Sequence, residues 1–146
     1  MSFTYNKGAR KRMKDTISRV RVAVIDNEHI IADTLAEILR QHGYEAKPHY
    51  NGESALVDAG WFRPDVVLSD IQIGTIDGIE TALRIRENQP QCRIILFTAS
   101  PVDRELYRKI DNLGFEFLRR PLQPREVLAL LATRRRAAHE EFGRIA

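Results

Sequence analysis

The sequence predicts an α/β fold: a doubly wound, five-stranded parallel sheet with helices on both faces. Three observations predict it. From residue 20 onward, short β-rich apolar runs alternate strictly with stretches whose apolar residues recur at helical spacing. The strongest runs, residues 20–25 and 93–98, are apolar at almost every position, as strands covered on both faces are. Each run is followed by a stretch long enough for the helical crossover that parallel strands require.

Taken in order, residues 20–25 read as a buried, β-branched strand ending at Asp26. Ile30, Ile31, Leu35, Ile38 and Leu39 then mark a helix, and Gly43 suits its left-handed stop. Residues 44–50 form a weaker strand, polar enough for an edge, and residues 52–59 a short helix. After Pro64, Val66, Val67 and Leu68 make a third strand that ends at Asp70. Asp77 and Glu80 have the spacing of a cap and its third-position acid. The helix they open carries Ile79, Leu83 and Ile85 and stops before Pro90. Residues 93–98 are the fourth strand, residues 102–113 a helix closed by Gly114, and residues 115–118 the fifth strand. Pro124 suits the first turn of a last helix through Val127, Leu128, Leu130 and Leu131.

Composition narrows the function classes. At 146 residues the chain fits one ordinary domain, and 43% apolar against 29% charged residues implies a packed core. The longest apolar stretches, such as Ile94-Ile95-Leu96-Phe97, are too short to cross a bilayer, and no secretory signal is visible. A single cysteine, Cys92, makes neither an internal disulfide nor a cysteine metal cluster. A cytoplasmic setting is expected. Charge is unevenly spread: residues 1–21 carry seven Lys/Arg against Asp15, whereas residues 22–133 hold twelve against seventeen Asp/Glu. The reading is therefore a basic N-terminal tail over 1–19, one domain over 20–133 and a basic C-terminal extension over 134–146. The tails are read as solvated, because no nucleic-acid motif accompanies them.

In open parallel sheets the functional crevice lies beyond the carboxyl ends of the strands. Those ends supply Asp26, Asn27 and Glu28, then Asp70, Thr98 and Arg120. Acidic groups, a hydroxyl and a cation converging there suit a metal-bound phosphate. Taken singly, each has a plainer reading: Asp77 is a helix cap, Phe117 a core residue, and His29 an exposed residue at a helix start.

The order of these motifs resembles the receiver domain of two-component response regulators, a flavodoxin-like fold. Val24-Ile25-Asp26-Asn27-Glu28 stands where that family has its acidic pair. Pro64-Asp65-Val66-Val67-Leu68-Ser69-Asp70 matches its phosphoacceptor strand, with Asp77-Gly78 seven residues on. Leu96-Phe97-Thr98-Ala99 and Phe117-Leu118-Arg119-Arg120-Pro121 match its last two motifs. The resemblance spans residues 20–133. It implies that Asp70 accepts a phosphoryl group from a sensor histidine kinase or phosphotransfer protein. It also implies Mg²⁺ held by Asp26, Asn27, Asp70 and the Gln72 carbonyl, and a cis bond between Arg120 and Pro121. Thr98 and Arg120 would contact the phosphoryl oxygens, and Thr98 with Phe117 would relay the change to a protein-binding face. No dedicated DNA-binding domain is expected, because little follows the last helix.

Three departures qualify the resemblance. Asn27 replaces an acidic residue, so Mg²⁺ loses one anionic ligand. Arg120 replaces a lysine with a planar fork on a longer stem. Gly74-Thr75 stands where Met-Pro-Gly-like runs are common. A degenerate pseudo-receiver, working as a phosphorylation-independent interaction module, is the alternative. Enzymes on the same fold fit poorly: a dehalogenase-type phosphatase wants an Asp where Gln72 stands. An oxidoreductase wants a glycine-rich first turn, which Asn27-Glu28-His29 lacks.

Overall fold

Alternation within the strands decides how the layers form. A computed structural model describes residues 19–133. In it β1 (Arg21–Ile25), β2 (Glu45–His49), β3 (Val66–Asp70), β4 (Arg93–Thr98) and β5 (Glu116–Arg119) form one parallel sheet in the order β2-β1-β3-β4-β5. Between and after them run α1 (His29–Gln41), α2 (Gly52–Phe62), α3 (Gly78–Asn88), α4 (Arg104–Asn112) and α5 (Pro124–Ala132). Successive strand residues point to opposite faces. Ala23, Ile25, Val67, Ile94 and Leu96 therefore join Ala55, Ile79, Ala82 and Ile110 of α2, α3 and α4 in one apolar layer. Val22, Val24, Leu68, Ile95 and Phe97 join Leu35, Leu39 and Val127 of α1 and α5 in the other. The doubly wound architecture is as the sequence predicts.

The element ends follow local chemistry. Asn51, Asp77 and Asp103 each accept a hydrogen bond from the backbone N–H three residues on, capping α2, α3 and α4. Asp77 is thus a cap, as its spacing implies. Gly43 and Gly114 take positive φ where α1 and α4 stop. Several boundaries differ from expectation by one to three residues. Helix α4 begins at Arg104 rather than 102, because Asp103 takes the cap. Helix α2 runs to Phe62 rather than 59 and stops on a left-handed Arg63. Strand β5 lies one residue later than 115–118. The polar second strand is indeed an edge, and Pro48, which has no N–H to donate, sits within it opposite Val24. Val57 and the chain's only tryptophan, Trp61, stand exposed on α2, Trp61 at 91%. Of the two tails, only Arg19 lies within the described residues.

One polar cluster ties the lower edge of the sheet together. The Arg93 guanidinium forks onto both oxygens of Glu116, each at 2.6 Å, across the starts of β4 and β5. It also donates to the Leu130 and Thr133 carbonyls at 3.1 and 3.3 Å, closing the end of α5.

The chain leaves β1 for β2 on one side and returns to β3 on the other. The crevice between β1 and β3 is therefore the topological switch point where such sheets bind ligands.

Candidate functional site

Two carboxylates end the neighbouring central strands. Asp26 follows β1 and is fully buried, while Asp70 ends β3 at 7% exposure. Each is aimed by a local backbone bond: the Glu28 amide donates to Asp26 Oδ1 at 2.9 Å, and the Gln72 amide to Asp70 Oδ1 at 3.0 Å. Their outer oxygens then converge on one atom. Nη2 of Arg120 donates to Oδ2 of Asp26 and, at 2.9 Å, to Oδ2 of Asp70. The guanidinium lies 5.2 Å from the ring centroid of Phe97, and its Nη1 is 3.7 Å from Glu28. Nε of Arg120 is buried without a hydrogen-bond partner. The fork therefore does not grip one carboxylate with two parallel bonds; a single nitrogen spans two. Arg120 reaches them from the end of β5 through a cis bond to Pro121, as expected.

Burial dominates the electrostatics of both acids. It pushes each carboxyl above its usual range, while the backbone amide of Glu28 or Gln72 and the charge of Arg120 pull back. Each carboxylate also faces like charge: Asp70 beside Asp26, and Glu28 beside both. The Arg120 cation offsets that repulsion.

The other expected residues are spread around this centre. Thr98 is buried at the end of β4, and its Oγ1 accepts the Ser100 amide at 3.2 Å. Gln72 sits above Asp70, its Oε1 accepting the Ser100 hydroxyl at 3.1 Å. Asn27 is exposed on the connection after β1. Phe117 is half-buried on β5 and meets Tyr107 edge-on, with ring centroids 6.4 Å apart. His29 stacks on Tyr50 at 3.8 Å. Glu28, expected among the acidic groups at the strand ends, is the third carboxylate near the cation; Phe97 as its floor and Ser100 as a bridge are not marked in the sequence. Phe97 looks in the sequence like any apolar strand residue.

Gly78 matters because α3 starts hard against Asp70. A Cβ at Gly78 would overlap the Asp70 carbonyl oxygen and lie 2.9 Å from Ser69 Oγ, itself donating to that carbonyl at 2.8 Å. The obstruction is mainly backbone, so a rotamer change cannot relieve it. Gly78→Ala should cost about 1–3 kcal/mol, the usual range for overpacking. It should also displace the end of β3. Thermal melts followed by circular dichroism check this, and an unchanged melting temperature would show that α3 accommodates the methyl freely.

Comparison with known proteins decides the family. The response regulator receiver domain profile matches residues 22–132. The chain belongs to the response regulator receiver family. Among relatives of this receiver domain, the alkaline phosphatase synthesis transcriptional regulatory protein PhoP of Bacillus subtilis is 28% identical over 109 residues. That match covers 75% of this chain and 45% of PhoP. The DNA-binding response regulator MtrA of Mycobacterium tuberculosis is 25% identical over 123 residues, covering 84% and 54%. The chain thus spans about half the length of these relatives. A CheY-like receiver domain protein from Methanospirillum hungatei shares the fold at a TM-score of 0.72 and 23% identity, covering 78% of this chain and 91% of that one. A response regulator from Burkholderia pseudomallei, solved with a phosphorylated aspartic acid and a calcium ion, reaches 0.72 at 26% identity, covering 87% and 73%. Among the described residues of the receiver domain, no helix is long and apolar enough to cross a membrane.

Proposed function

We propose that the chain is a phosphorylatable switch that takes a phosphoryl group on Asp70. The observation that carries this reading is the convergence of Asp26 and Asp70 on the Arg120 guanidinium at the β1/β3 switch point. A carboxylate attacks a phosphoryl group poorly because both are negative. The chain supplies one remedy itself, a cation 2.9 Å from the attacking carboxylate and able to hydrogen-bond an incoming phosphoryl oxygen. Asp70 Oδ forms the new bond to phosphorus as the bond to a donor histidine nitrogen breaks, giving an aspartyl phosphate. Thr98 is the hydroxyl that would turn toward the product, with Phe117 repacking on the α4–β5–α5 face.

Paired buried carboxylates with amide and carbonyl oxygens nearby are hard donors, a set that fits Mg²⁺. Asp26, Asn27, Asp70 and the Gln72 carbonyl would hold it. When bound, Mg²⁺ supplies further charge neutralisation at the phosphoryl oxygens. Among the described residues, no group of three or more Asp, Glu, His and Cys is placed to hold a metal; with Asn27 in the set, two of the proposed side-chain ligands are anionic. The reading includes a cytoplasmic location and a sensor histidine kinase or phosphotransfer protein as donor. It also has the domain acting as a switch rather than a turnover enzyme.

A second reading, an interaction module that is never phosphorylated, is favoured by one observation: Arg120 already bridges both carboxylates. Intact mass separates the two. Wild type incubated with acetyl phosphate and Mg²⁺ should gain one phosphoryl mass, and Asp70→Asn should gain none. Absence of labelling in wild type supports the module; equal labelling of Asp70→Asn overturns Asp70 as the acceptor.

A further inference from the structure

We propose that the amino edge of the sheet docks on an anionic lipid surface, with Trp61 and Val57 entering the interface and the flanking basic segments holding the headgroups.

Topology brings the parts together. Arg21, Asp65 and Arg93 lie side by side where β1, β3 and β4 begin. The Asp65 amide donates to the Arg21 carbonyl at 2.8 Å, and the Arg93 amide to the Asp65 carbonyl at 2.9 Å. Helix α2 runs back from the carboxyl edge and ends here. Nε of Arg21 donates to the Arg63 carbonyl at 3.0 Å, two residues beyond Trp61. Helix α5 ends here as well, since Nη1 of Arg93 donates to the Thr133 carbonyl at 3.3 Å. Residues 1–18 and 134–146 therefore join the domain at one edge, the edge that carries Trp61.

Charge gathers at that edge. Residues 1–18 carry five Lys/Arg against Asp15, and residues 134–146 carry four Arg against Glu140 and Glu141. Residues 19–133 hold fourteen Lys/Arg against seventeen Asp/Glu. Read singly, each basic segment is a solvated tail; joined at one edge, they give an acidic body a cationic pole. Arg19 and Arg63 add exposed cations to it. Of the neighbouring acids, Asp65 is held by the Arg21 amide and Asp58 by Lys47, while Glu45 and Glu53 stay exposed. A surface of like-spaced negative charge is the complement of such a pole.

Apolar side chains decide which polyanion fits. Trp61 is 91% exposed and Val57 78%, and they stand four residues apart on α2, so they share a face. An indole suits the bilayer interface, where its apolar body is covered and its N–H stays wet. Val57 adds apolar area, and peripheral binding grows with that area and with attraction to anionic lipid together. A nucleic acid would stack on the indole but leave Val57 in water. Docking at the amino edge also keeps Asp26 and Asp70, at the carboxyl edge, open to the aqueous side.

The test is sedimentation of the full chain with phosphatidylcholine vesicles and with mixed phosphatidylcholine–phosphatidylglycerol vesicles. Wild type should sediment with the mixed vesicles, less so as salt screens the attraction, and stay in solution with the neutral ones. Amide hydrogen exchange in α2 should slow on the mixed vesicles. Trp61→Ser should bind them about tenfold more weakly, having lost the larger apolar anchor. A variant with Arg134→Gln, Arg135→Gln and Arg136→Gln should also bind more weakly. If Trp61→Ser fails to fold, the arginine variant and the exchange in α2 decide. No binding to mixed vesicles, equal binding to neutral ones, or unchanged exchange in α2 each overturn the proposal. Wild-type binding by folded Trp61→Ser overturns it too. Binding of a single-stranded oligonucleotide without binding to vesicles overturns it in favour of a nucleic-acid partner.

Discussion

Arg93→Ala should destabilise the fold by about 3–5 kcal/mol, the usual cost of removing one partner from a buried ion pair. A domain of this size has on the order of 5–15 kcal/mol in total, so the variant should unfold at far lower urea concentration. The size of the effect comes from what Arg93 leaves behind. Glu116, with a side chain only 17% exposed, loses both of its 2.6 Å bonds, and the Leu130 and Thr133 carbonyls lose a donor. Helix α5, which contributes Val127 to the core, loses its fastening at that end. Replacing both partners together, Arg93→Met with Glu116→Leu, should recover much of the loss, because no buried charge then stands alone. Urea titration followed by circular dichroism measures both. A single-mutant loss below about 1 kcal/mol would place Arg93–Glu116 among surface pairs.

Phe97→Ala should cost a similar amount, about 3–5 kcal/mol, the range for emptying a fully buried aromatic position. Phe97 is 0% exposed, pairs with Asp70 in the sheet and with Leu118 on the other side, and accepts the Ile71 amide through its carbonyl. Its ring also lies beneath the Arg120 guanidinium. Phe97→Leu separates the two duties. It nearly conserves volume and should lose under about 1.5 kcal/mol, yet it removes the aromatic face that attracts the cation. Comparable losses in the Ala and Leu variants would show that the cavity is not the source of the cost.

Most of the fold was legible because periodicity and punctuation agreed. Val22 to Ile25, Val66 to Leu68 and Ile94 to Phe97 could only be buried strands, and Gly43, Asp77, Gly114 and Pro124 marked helix ends for reasons of backbone geometry. The site was legible at its centre for the same reason: strand ends in a parallel sheet come together, so Asp26, Asp70 and Arg120 had to be neighbours. How they touch was not legible. Which oxygens Nη2 meets depends on the path of a long side chain launched from β5, across 94 residues to one partner and 50 to the other. Arg93 and Glu116 were hidden differently. Opposite charges at the starts of two adjacent strands look like solvated ends until α5 is seen to cover them. The start of α4 was misplaced because Val102 fits the apolar rhythm, while Asp103 beside it takes the cap.

Trp61 has a practical bearing on every one of these measurements. Its indole is already bathed in water in the native state, so unfolding hardly changes its surroundings or its emission colour. With no second tryptophan in the chain, emission-monitored denaturation should be nearly flat where the ellipticity transition is steep. A flat trace would then say nothing about fold integrity. The same indole is open to collisional quenchers such as acrylamide, so a partner that covers α2 would announce itself as lost quenching.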